Sequence, residues 1–574
     1  MFTRTVSLLA ILVMLGTGWM PAGAVPPAKV GFLVVAPDRG FVGNQEVREL
    51  VQDFKKEYPV ALGLIGREHT GVEGEYAVYL TRAVQELKKA GVTEIVAIPL
   101  FLSAADPVLQ RVIPTLPAYA AGLPVRWAPV MAESYLTNQV VLDRVEALSQ
   151  EPEQERLILV GIGATDEASE KVLKADLDKL LAYVQQYKHF REAETVIYFD
   201  REAEGAEKKN QEIKARVLAH IAKQGRTIAV PAFIGPKFDR SMAMTAWLSK
   251  QFKGLNVAYH GAELLPHPNV LLWLKKTANQ FVAARPDEIG VVIMPHGSTQ
   301  PWNDAAERTI EPLKTKYKIE MAYGMGDPGT IQDAVTRLEQ RGIKRIVFVR
   351  LYELERQMKP LTDYILGLSD SPTLPGHAGG HGHDAAFPPQ IRSAALFSTF
   401  GGYTENFPPI ANVLCERITE VSQDPAKETV VLLAHGSQTD EDNNHWLSVI
   451  RANIDWVKKD SRCAPFKTVR AATVREDWPE QREQAVADVR KMIEEDAKTG
   501  RVLVIANRMY GSGPYKKMLK GLEYVLNEKG FASPIITRWL EEGLAKAVVA
   551  LAQPVPRTAR FAAPASATAA VTNH

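Results

Sequence analysis

The sequence contains little cysteine and has no excess of charge of either sign. Only Cys415 and Cys463 are present among 574 residues, which excludes a disulfide-rich scaffold, a cysteine-rich zinc domain and an iron–sulfur protein. Lys and Arg total 68 and Asp and Glu total 67, so the formal net charge is +1. A nucleic-acid-binding protein usually carries a basic excess, so this balance argues against a nucleic-acid partner.

Long apolar runs are confined to the N-terminus. Arg4, an apolar stretch over residues 6–20 and the small residues Ala22-Gly23-Ala24 are typical of a secretory signal peptide, residues 1–24, cleaved after Ala24. The alternative is an uncleaved membrane anchor, for which the run is short. We therefore expect a periplasmic or secreted protein without a membrane span. In such an oxidising compartment the two cysteines can pair if the fold brings them together.

A strand-like apolar run that breaks into a polar or glycine-rich loop occurs four times. The runs begin at Val30, Leu157, Gly290 and Thr429, and each precedes an amphipathic helical stretch. A second apolar run follows in every repeat. Continuous apolar strands that alternate with helices are typical of a parallel sheet covered on both faces. The sequence therefore predicts four doubly wound parallel α/β modules, arranged as two pseudo-symmetric pairs.

We place the four modules at residues 25–152, 153–286, 287–425 and 426–552. Residues 553–574 are rich in Ala, Pro and Thr and are predicted to be a disordered tail. A low-complexity insertion over 369–390 lies in the third module. Its histidines form a short tract that favours metal binding, with a solvated linker as the alternative: His377, His381 and His383.

His296 and His435 occupy equivalent positions in the third and fourth modules. Each is expected to end a strand, and each is followed by Gly-Ser. In doubly wound sheets ligands bind at this edge, and a neutral imidazole suits Co²⁺, Ni²⁺, Fe²⁺ or Zn²⁺. Ser298 and Ser437 can cap the following helix or bind an anionic group. The alternative for each histidine is a hydrogen bond inside a loop.

This order of strand, His-Gly-Ser, helix and second strand resembles the class II tetrapyrrole chelatases, most closely the CbiX family of sirohydrochlorin cobaltochelatases. Ile98-Pro99-Leu100-Phe101-Leu102 matches the family's second motif. Asp327-Pro328, which opens a helix, and the segment Leu264-Leu265-Pro266-His267-Pro268 are similar to later family segments. The resemblance covers nearly the whole mature chain, as four modules in tandem.

The resemblance implies insertion of a divalent metal into sirohydrochlorin or a related tetrapyrrole, without ATP or an organic cofactor. Co²⁺ is the family default, with Ni²⁺ or Fe²⁺ as alternatives. His296 and His435 are carried over as the catalytic and metal-binding residues. The His-rich insertion adds a second point of resemblance and implies a loop that collects metal and delivers it to the cleft.

Several further residues are candidates at the same edge. Arg508, Tyr510 and Tyr515 can contact tetrapyrrole carboxylates or stack on the ring, or they are ordinary rim residues. Glu353 and Glu355 can add oxygen ligands, although acidic residues also favour helix N-termini.

The chain also departs from the family pattern. No module has the second family histidine after its second apolar run, and the first two modules lack the first one. We therefore expect the first pair to be catalytically degenerate. A non-catalytic periplasmic protein that binds or delivers metal or tetrapyrrole is the main alternative. A two-lobed periplasmic substrate-binding protein is a third interpretation, and the oligomeric state stays open.

Overall fold

The computed structural model describes residues 29–66, 75–223, 225–239, 241–370, 387–531, 533–559 and 561. The predicted signal peptide and His377, His381 and His383 lie outside the described residues. Within these ranges, no helix combines the length and the hydropathy needed to cross a membrane.

The strands form four separate sheets of four parallel strands, and every sheet has the same order, with the first strand of the module between its second and third. The first sheet contains β1 (Val30–Pro37), β2 (Val60–Ile65), β3 (Glu94–Pro99) and β4 (Val125–Trp127). The second contains β5 (Arg156–Ala164), β6 (Glu192–Phe199), β7 (Thr227–Pro231) and β8 (Val257–Ala258). The third contains β9 (Ile289–Pro295), β10 (Lys318–Met321), β11 (Arg345–Leu351) and β12 (Leu396–Phe400). The fourth contains β13 (Glu428–Ala434), β14 (Thr468–Thr473), β15 (Arg501–Ala506) and β16 (Val525–Asn527).

A helix follows every strand in the described parts of the chain. The first module has α1 (Phe41–Lys55), α2 (Glu75–Lys89), α3 (Pro107–Tyr119) and α4 (Tyr135–Glu146). The second has α5 (Glu167–Tyr187), α6 (Ala206–Ile221), α7 (Met244–Phe252) and α8 (Pro268–Phe281). The third has α9 (Gln300–Ile310), α10 (Pro328–Gln340), α11 (Lys359–Ile365) and α12 (Ile410–Thr419). The fourth has α13 (Asp440–Val457), α14 (Pro479–Ala497), α15 (Tyr515–Met518) and α16 (Pro534–Ala552).

The central strand of each sheet is buried because helices cover both of its faces. Every residue of β1, β9 and β13 is buried, in agreement with their continuous apolar sequences. The prediction of four doubly wound parallel modules, arranged as two pairs, is confirmed.

The last helix of each module packs against the partner module of its pair. In the first pair α4 contacts α5 and β7, and α8 contacts α1 and β3. In the second pair α12 contacts α13 and β15, and α16 contacts α9, β11 and β12. Each pair therefore shares one hydrophobic core, which extends from Val30 to Phe281 in the first pair and from Ile289 to Leu551 in the second.

Arg345 joins the two pairs at the start of β11. Its guanidinium is buried and donates to backbone carbonyls at the C-terminal ends of two helices, α8 and α16. The acceptors in α8 and just beyond it are Asn279 O, at 2.8 Å, and Val282 O. The acceptors at the end of α16 are Leu551 O and Gln553 O, the latter at 2.5 Å. One positive charge thus satisfies the free carbonyls of two helix ends and opposes both helix dipoles.

Residues 553–559 continue along the molecular surface from the end of α16. The Val555 N–H donates to Gln280 O at 2.9 Å, and the Ala559 N–H donates to Trp127 O at 3.0 Å. Phe561 packs edge-on against Trp127. These contacts with the first pair hold the start of the segment for which the sequence predicted disorder.

Cys415 in α12 and Cys463, in the loop that follows α13, form a buried disulfide with their Cα atoms 5.9 Å apart. α12 is the last helix of the third module but packs against the fourth module. The disulfide therefore links α12 covalently to the module that it covers.

We expect Arg345→Met to lower the free energy of unfolding by about 3 kcal/mol, because buried helix-end carbonyls lose a charged donor while the side-chain volume changes little. Denaturant unfolding followed by circular dichroism measures this change. Arg285→Met is the matched control: Arg285 is exposed and pairs with Asp287 and Glu288, which are close to it in sequence. Equal stability of the two variants would contradict the assigned role of Arg345.

A second junction between the pairs is predicted to make stability depend on pH. Asp143 in α4 accepts two hydrogen bonds of 2.6 Å from Arg392, and His267 Nε2 lies 3.0 Å from Asp143 Oδ2. Burial alone would raise the pKa of Asp143, but the bonds from His267 and Arg392 outweigh it and lower the pKa to about 2. The ionised carboxylate therefore stabilises the fold above the pKa of the unfolded chain, about 3.9.

Asp143→Asn should lower the free energy of unfolding by about 1–2 kcal/mol at pH 7, with roughly half of that effect left at pH 3. The effect fades below about pH 3.9 because the unfolded chain takes up a proton at this carboxylate, and it is lost once the folded carboxylate protonates near pH 2. Glu146→Gln on the same helix serves as the control, since its pair with Lys188 is exposed and 3.4 Å long. A difference that stays constant from pH 7 to pH 3 would argue against the ionic role of Asp143.

Candidate functional site

A cavity of about 390 Å³ lies between the carboxyl edges of the third and fourth sheets. Loops after β9, β10 and β11 form one side, and loops after β13, β14 and β15 form the other. This is the edge where doubly wound sheets bind ligands. The polar and aromatic side chains that line it are His296, Ser298, Thr299, Trp302, Tyr352, Glu353, Gln357, His435, Trp446, Glu476, Asp477, Arg508 and Tyr510.

Both predicted histidines line this one cavity. His296 directly follows β9 and His435 directly follows β13, the central strands of their sheets. In each case Nδ1 lies within hydrogen-bond distance of the carbonyl of the next glycine, at 2.6 Å to Gly297 O and 2.9 Å to Gly436 O. Because a carbonyl only accepts, we assign the proton to Nδ1, and the bond fixes the ring so that Nε2 is the nitrogen left for a ligand or a second hydrogen bond.

The glycine after each histidine permits this turn. Gly297 and Gly436 have φ values of 76° and 86°, which side-chain-bearing residues rarely adopt. A Cβ on Gly436 would also lie 2.9 Å from Asn443 Oδ1. Asn443 and Asn303 each accept the N–H of the serine that follows the glycine, Ser437 or Ser298.

The two serines differ in exposure. Ser298 is exposed and lines the cavity. Ser437 is buried outside the cavity lining, and its carbonyl accepts from Arg475 Nε at 2.8 Å. The prediction that Ser437 binds substrate is therefore corrected. The hydrogen bond from the Ser437 N–H to Asn443 holds Ser437 inside the loop, away from the cavity.

His435 lies beside two carboxylates that the sequence analysis missed. The ligand atoms of His435, Glu476 and Asp477 all lie within 4.8 Å of one another. Asp477 Oδ2 is 3.0 Å from His435 Nε2. Burial alone would lower the pKa of His435, but Asp477 and Glu476 outweigh it and raise the pKa. Together with the imidazole, these carboxylates form a set of ligands that suits a divalent cation.

A signal for these carboxylates exists in the sequence. Glu476 and Asp477 come shortly after β14, and β14 pairs in parallel with β13, the strand that His435 follows. Carboxyl ends of adjacent parallel strands meet at one edge. The short, partly polar run of β14 hides this strand from a search for apolar segments.

Aromatic rings hold His435 in place. Its ring stacks on Trp446 with centroids 6.0 Å apart and an interplanar angle of 16°, and Trp478 packs edge-on at 5.8 Å. Its side chain is 20% exposed, whereas His296 is exposed.

His296 lies among aromatic side chains. Its ring is 6.5 Å from Trp302 and 6.4 Å from Tyr352. Among the described residues, the three side chains close enough to share one metal ion are His435, Glu476 and Asp477, and His296 is not one of them. The predicted pair of histidines thus faces one cavity, but only His435 belongs to a preformed ligand set.

Arg508 also lines the cavity, as predicted. Its guanidinium pairs with Glu476 and lies 5.6 Å above the ring of Tyr515. Tyr515 itself is fully buried, and its hydroxyl donates to Leu433 O at 3.1 Å. The prediction that Tyr515 contacts substrate is therefore corrected: it packs in the core beneath Arg508.

Of the remaining candidates, Tyr510 and Glu353 line the cavity and Glu355 does not. Tyr510 lines the cavity and packs edge-on against Trp302. Glu353 lines it too, and its Oε1 accepts the Met509 N–H at 3.1 Å. Glu355 instead pairs with buried Arg350 at 2.8 Å.

In the first pair, the two positions that match His296 and His435 carry no imidazole. Strand register places Pro37 and Ile162 where the second pair has His296 and His435. Arg39 follows β1 and is fully buried between two glutamates, Glu46 and Glu263, each 2.9 Å away.

The comparisons with known proteins found similar solved structures only. No protein-family model matches the chain, and no curated protein matches it significantly. SirB, a sirohydrochlorin chelatase from Bacillus subtilis subspecies spizizenii in complex with cobalt, is 17% identical, covering 42% of this chain and 91% of that one, with a TM-score of 0.30. SirB from Bacillus subtilis with Fe³⁺ is 16% identical over 42% of this chain and 92% of that one, with a TM-score of 0.31.

A multi-domain protein from Deinococcus radiodurans, described as structurally similar to chelatases with two additional novel domains, is 13% identical. The match covers 47% of this chain and 56% of that one, with a TM-score of 0.27. With such low identities and TM-scores, these matches assign no chemistry to individual residues of this chain.

The geometry predicts unequal roles for the two histidines in metal binding. His435→Ala and Glu476→Gln should each weaken Co²⁺ binding at least about tenfold, because each removes a group from the preformed set. His296→Ala should weaken it by less than about threefold, since His296 lies outside that set. Isothermal titration calorimetry of the single and double variants measures these effects. Equal losses for both histidines, with no further loss in the double variant, would place both on one ion.

Proposed function

We propose that the protein is an exported chelatase-like enzyme that inserts a divalent metal into sirohydrochlorin or a related tetrapyrrole in the cavity of the second pair. Co²⁺ is the first candidate, with Ni²⁺ or Fe²⁺ as alternatives. The observation that carries the proposal is the juxtaposition of His435, Glu476 and Asp477 with His296 in a single cavity of about 390 Å³.

The metal substrate would first bind His435 Nε2 and the two carboxylates. Mixed imidazole and carboxylate ligands suit divalent first-row metals. Asp477 is 54% exposed, so one ligand of the site can exchange with solvent. Because a chelatase must release its metal into the macrocycle, a partly exposed set of three ligands fits transfer better than a closed four-ligand site does.

Insertion also requires removal of two protons from the pyrrole nitrogens as the dication enters. Within the described residues, the hydrogen bond of His296 is at Nδ1, and the ring lies in the same cavity, so His296 is our candidate for the base. Trp302, Tyr352 and Tyr510 offer aromatic surfaces to a planar ring. Arg508 can bind a substrate carboxylate, because a guanidinium forms bidentate pairs with carboxylates.

The buried Cys415–Cys463 disulfide supports the proposed location in the periplasm or outside the cell. On this proposal the partners are metal and tetrapyrrole rather than nucleic acid. His377, His381 and His383 would collect metal for the cavity.

One observation favours a second candidate function, binding and delivery of metal or tetrapyrrole without catalysis. Glu476 already pairs with Arg508, so part of its charge is neutralised before any ligand binds. Arg508 is engaged by the same pair, so it is less available to orient a tetrapyrrole carboxylate for insertion.

The two functions differ in turnover. Incubation of the mature protein with sirohydrochlorin and Co²⁺, followed by absorption spectroscopy, should show insertion above the spontaneous rate. His296→Ala should lower kcat at least about tenfold while Co²⁺ affinity changes little, as expected for loss of a general base.

His445→Ala is the matched control, because His445 pairs with Glu405 at 3.1 Å and does not line the cavity. A spectral shift without turnover would support the binding function instead. No spectral response to either ligand would overturn both.

A further inference from the structure

The first pair contains a cavity that is larger than the one in the second pair, with a volume of about 530 Å³. It lies at the carboxyl edge of the second sheet, beneath the loop that joins β3 to α3 of the first module. This volume is in the range of small-molecule sites, about 300–1,000 Å³.

The lining of this cavity differs from that of the second pair. Its aromatic side chains include Phe101, Phe199, Phe233 and Trp247, and the described residues that line it include no histidine or cysteine. The cavity thus offers large apolar surfaces without the imidazole ligands of the second pair. Such a lining favours binding of an apolar organic molecule.

Two large apolar side chains are exposed at the same cavity. Phe238 is 55% exposed and Met242 is 61% exposed, and both belong to the loop that joins β7 to α7. Single exposed apolar residues are ordinary, but exposed apolar residues that continue into a cavity indicate a ligand-binding surface.

The loop that carries these residues is held in a fixed position. Buried Arg39 donates to Gly235 O at 2.8 Å, and the Lys237 N–H donates to Arg39 O at 2.5 Å. Glu263 accepts the Gly235 N–H at 2.9 Å. This network fixes the wall of the cavity before any ligand binds, which reduces the entropy lost on binding.

Cationic side chains lie along one edge of the cavity. Arg201 and Lys250 line it, and Lys214 lies with Arg201 and Trp247 in the adjoining recess. Within the part of the chain that the structure describes, none of these three cations forms a salt bridge. Three acidic residues, Asp106, Asp200 and Glu202, also line the cavity. Asp106 accepts the Val108 N–H, and Asp200 accepts the Glu202 N–H.

We propose that this cavity binds an aromatic organic anion. The ring system would lie against Phe233 and Trp247, and its anionic group would lie at Arg201 and Lys250. The proposal does not depend on the function proposed for the second pair. It gives the first pair, whose cavity lining as described includes no histidine, a binding role of its own.

Two probes that share one ring system test the proposal. 8-Anilinonaphthalene-1-sulfonate carries an anionic group, and N-phenyl-1-naphthylamine is its neutral counterpart. We expect the sulfonate to bind the full mature protein and to accept excitation energy from Trp247. The double variant Arg201→Glu/Lys250→Glu should weaken its binding at least about tenfold, with neutral-probe binding within about twofold of the parent protein.

Lys208→Glu/Lys253→Glu is the matched control. It makes the same change in net charge on α6 and at the end of α7, at exposed residues that do not line the cavity. It should leave the affinity for both probes within about twofold. Equal weakening by the two double variants, or equal loss of the neutral probe, would overturn the assignment of the anionic group to Arg201 and Lys250.

Bulky substitutions distinguish the two cavities. Ser241→Trp places a large ring at an exposed residue of the first-pair cavity, and Thr299→Trp does so at the second. Ser241→Trp should abolish sulfonate binding, and Thr299→Trp should leave it intact, with folding checked by circular dichroism. The reverse pattern, or no sulfonate binding by the parent protein, would overturn the proposal.

Discussion

In each pair, the helix that ends one module lies on the other module, so neither sheet has a complete inner covering without its partner. The two inner faces then form one hydrophobic core, and the carboxyl edges of both sheets border one opening. Because a buried apolar face must be covered by another element, this exchange fixes the relative position of the two edges. The cavity between them follows from that arrangement.

The two pairs use the same arrangement for different chemistry. In the second pair the residues after the central strands are His296 and His435, and the cavity contains carboxylates and aromatic rings. In the first pair Pro37 and Ile162 occupy those positions, and the Arg39 network fills the edge of the first sheet. Loops at strand ends change without altering the core, which explains how one fold carries two unlike cavities.

The carboxylates Glu476 and Asp477 lie on the side of the second cavity that carries His435. Asp477 and Glu476 raise the pKa of His435 in spite of its burial, so this side of the cavity attracts cations. His296 faces aromatic rings instead. Two histidines that match in sequence therefore have different surroundings, and the division of metal binding and proton transfer that we propose follows from this difference.

The sequence by itself determined the repeated strand and helix order, since continuous apolar runs and their spacing are local properties. It also determined that His296 and His435 end strands, because the apolar run stops at each. Only the tertiary structure decided that Glu476 and Asp477 surround His435, that Ser437 and Tyr515 are buried, and that Cys415 meets Cys463. These facts depend on strand pairing and helix exchange between distant segments, and such long-range packing leaves no periodic signal in the local sequence.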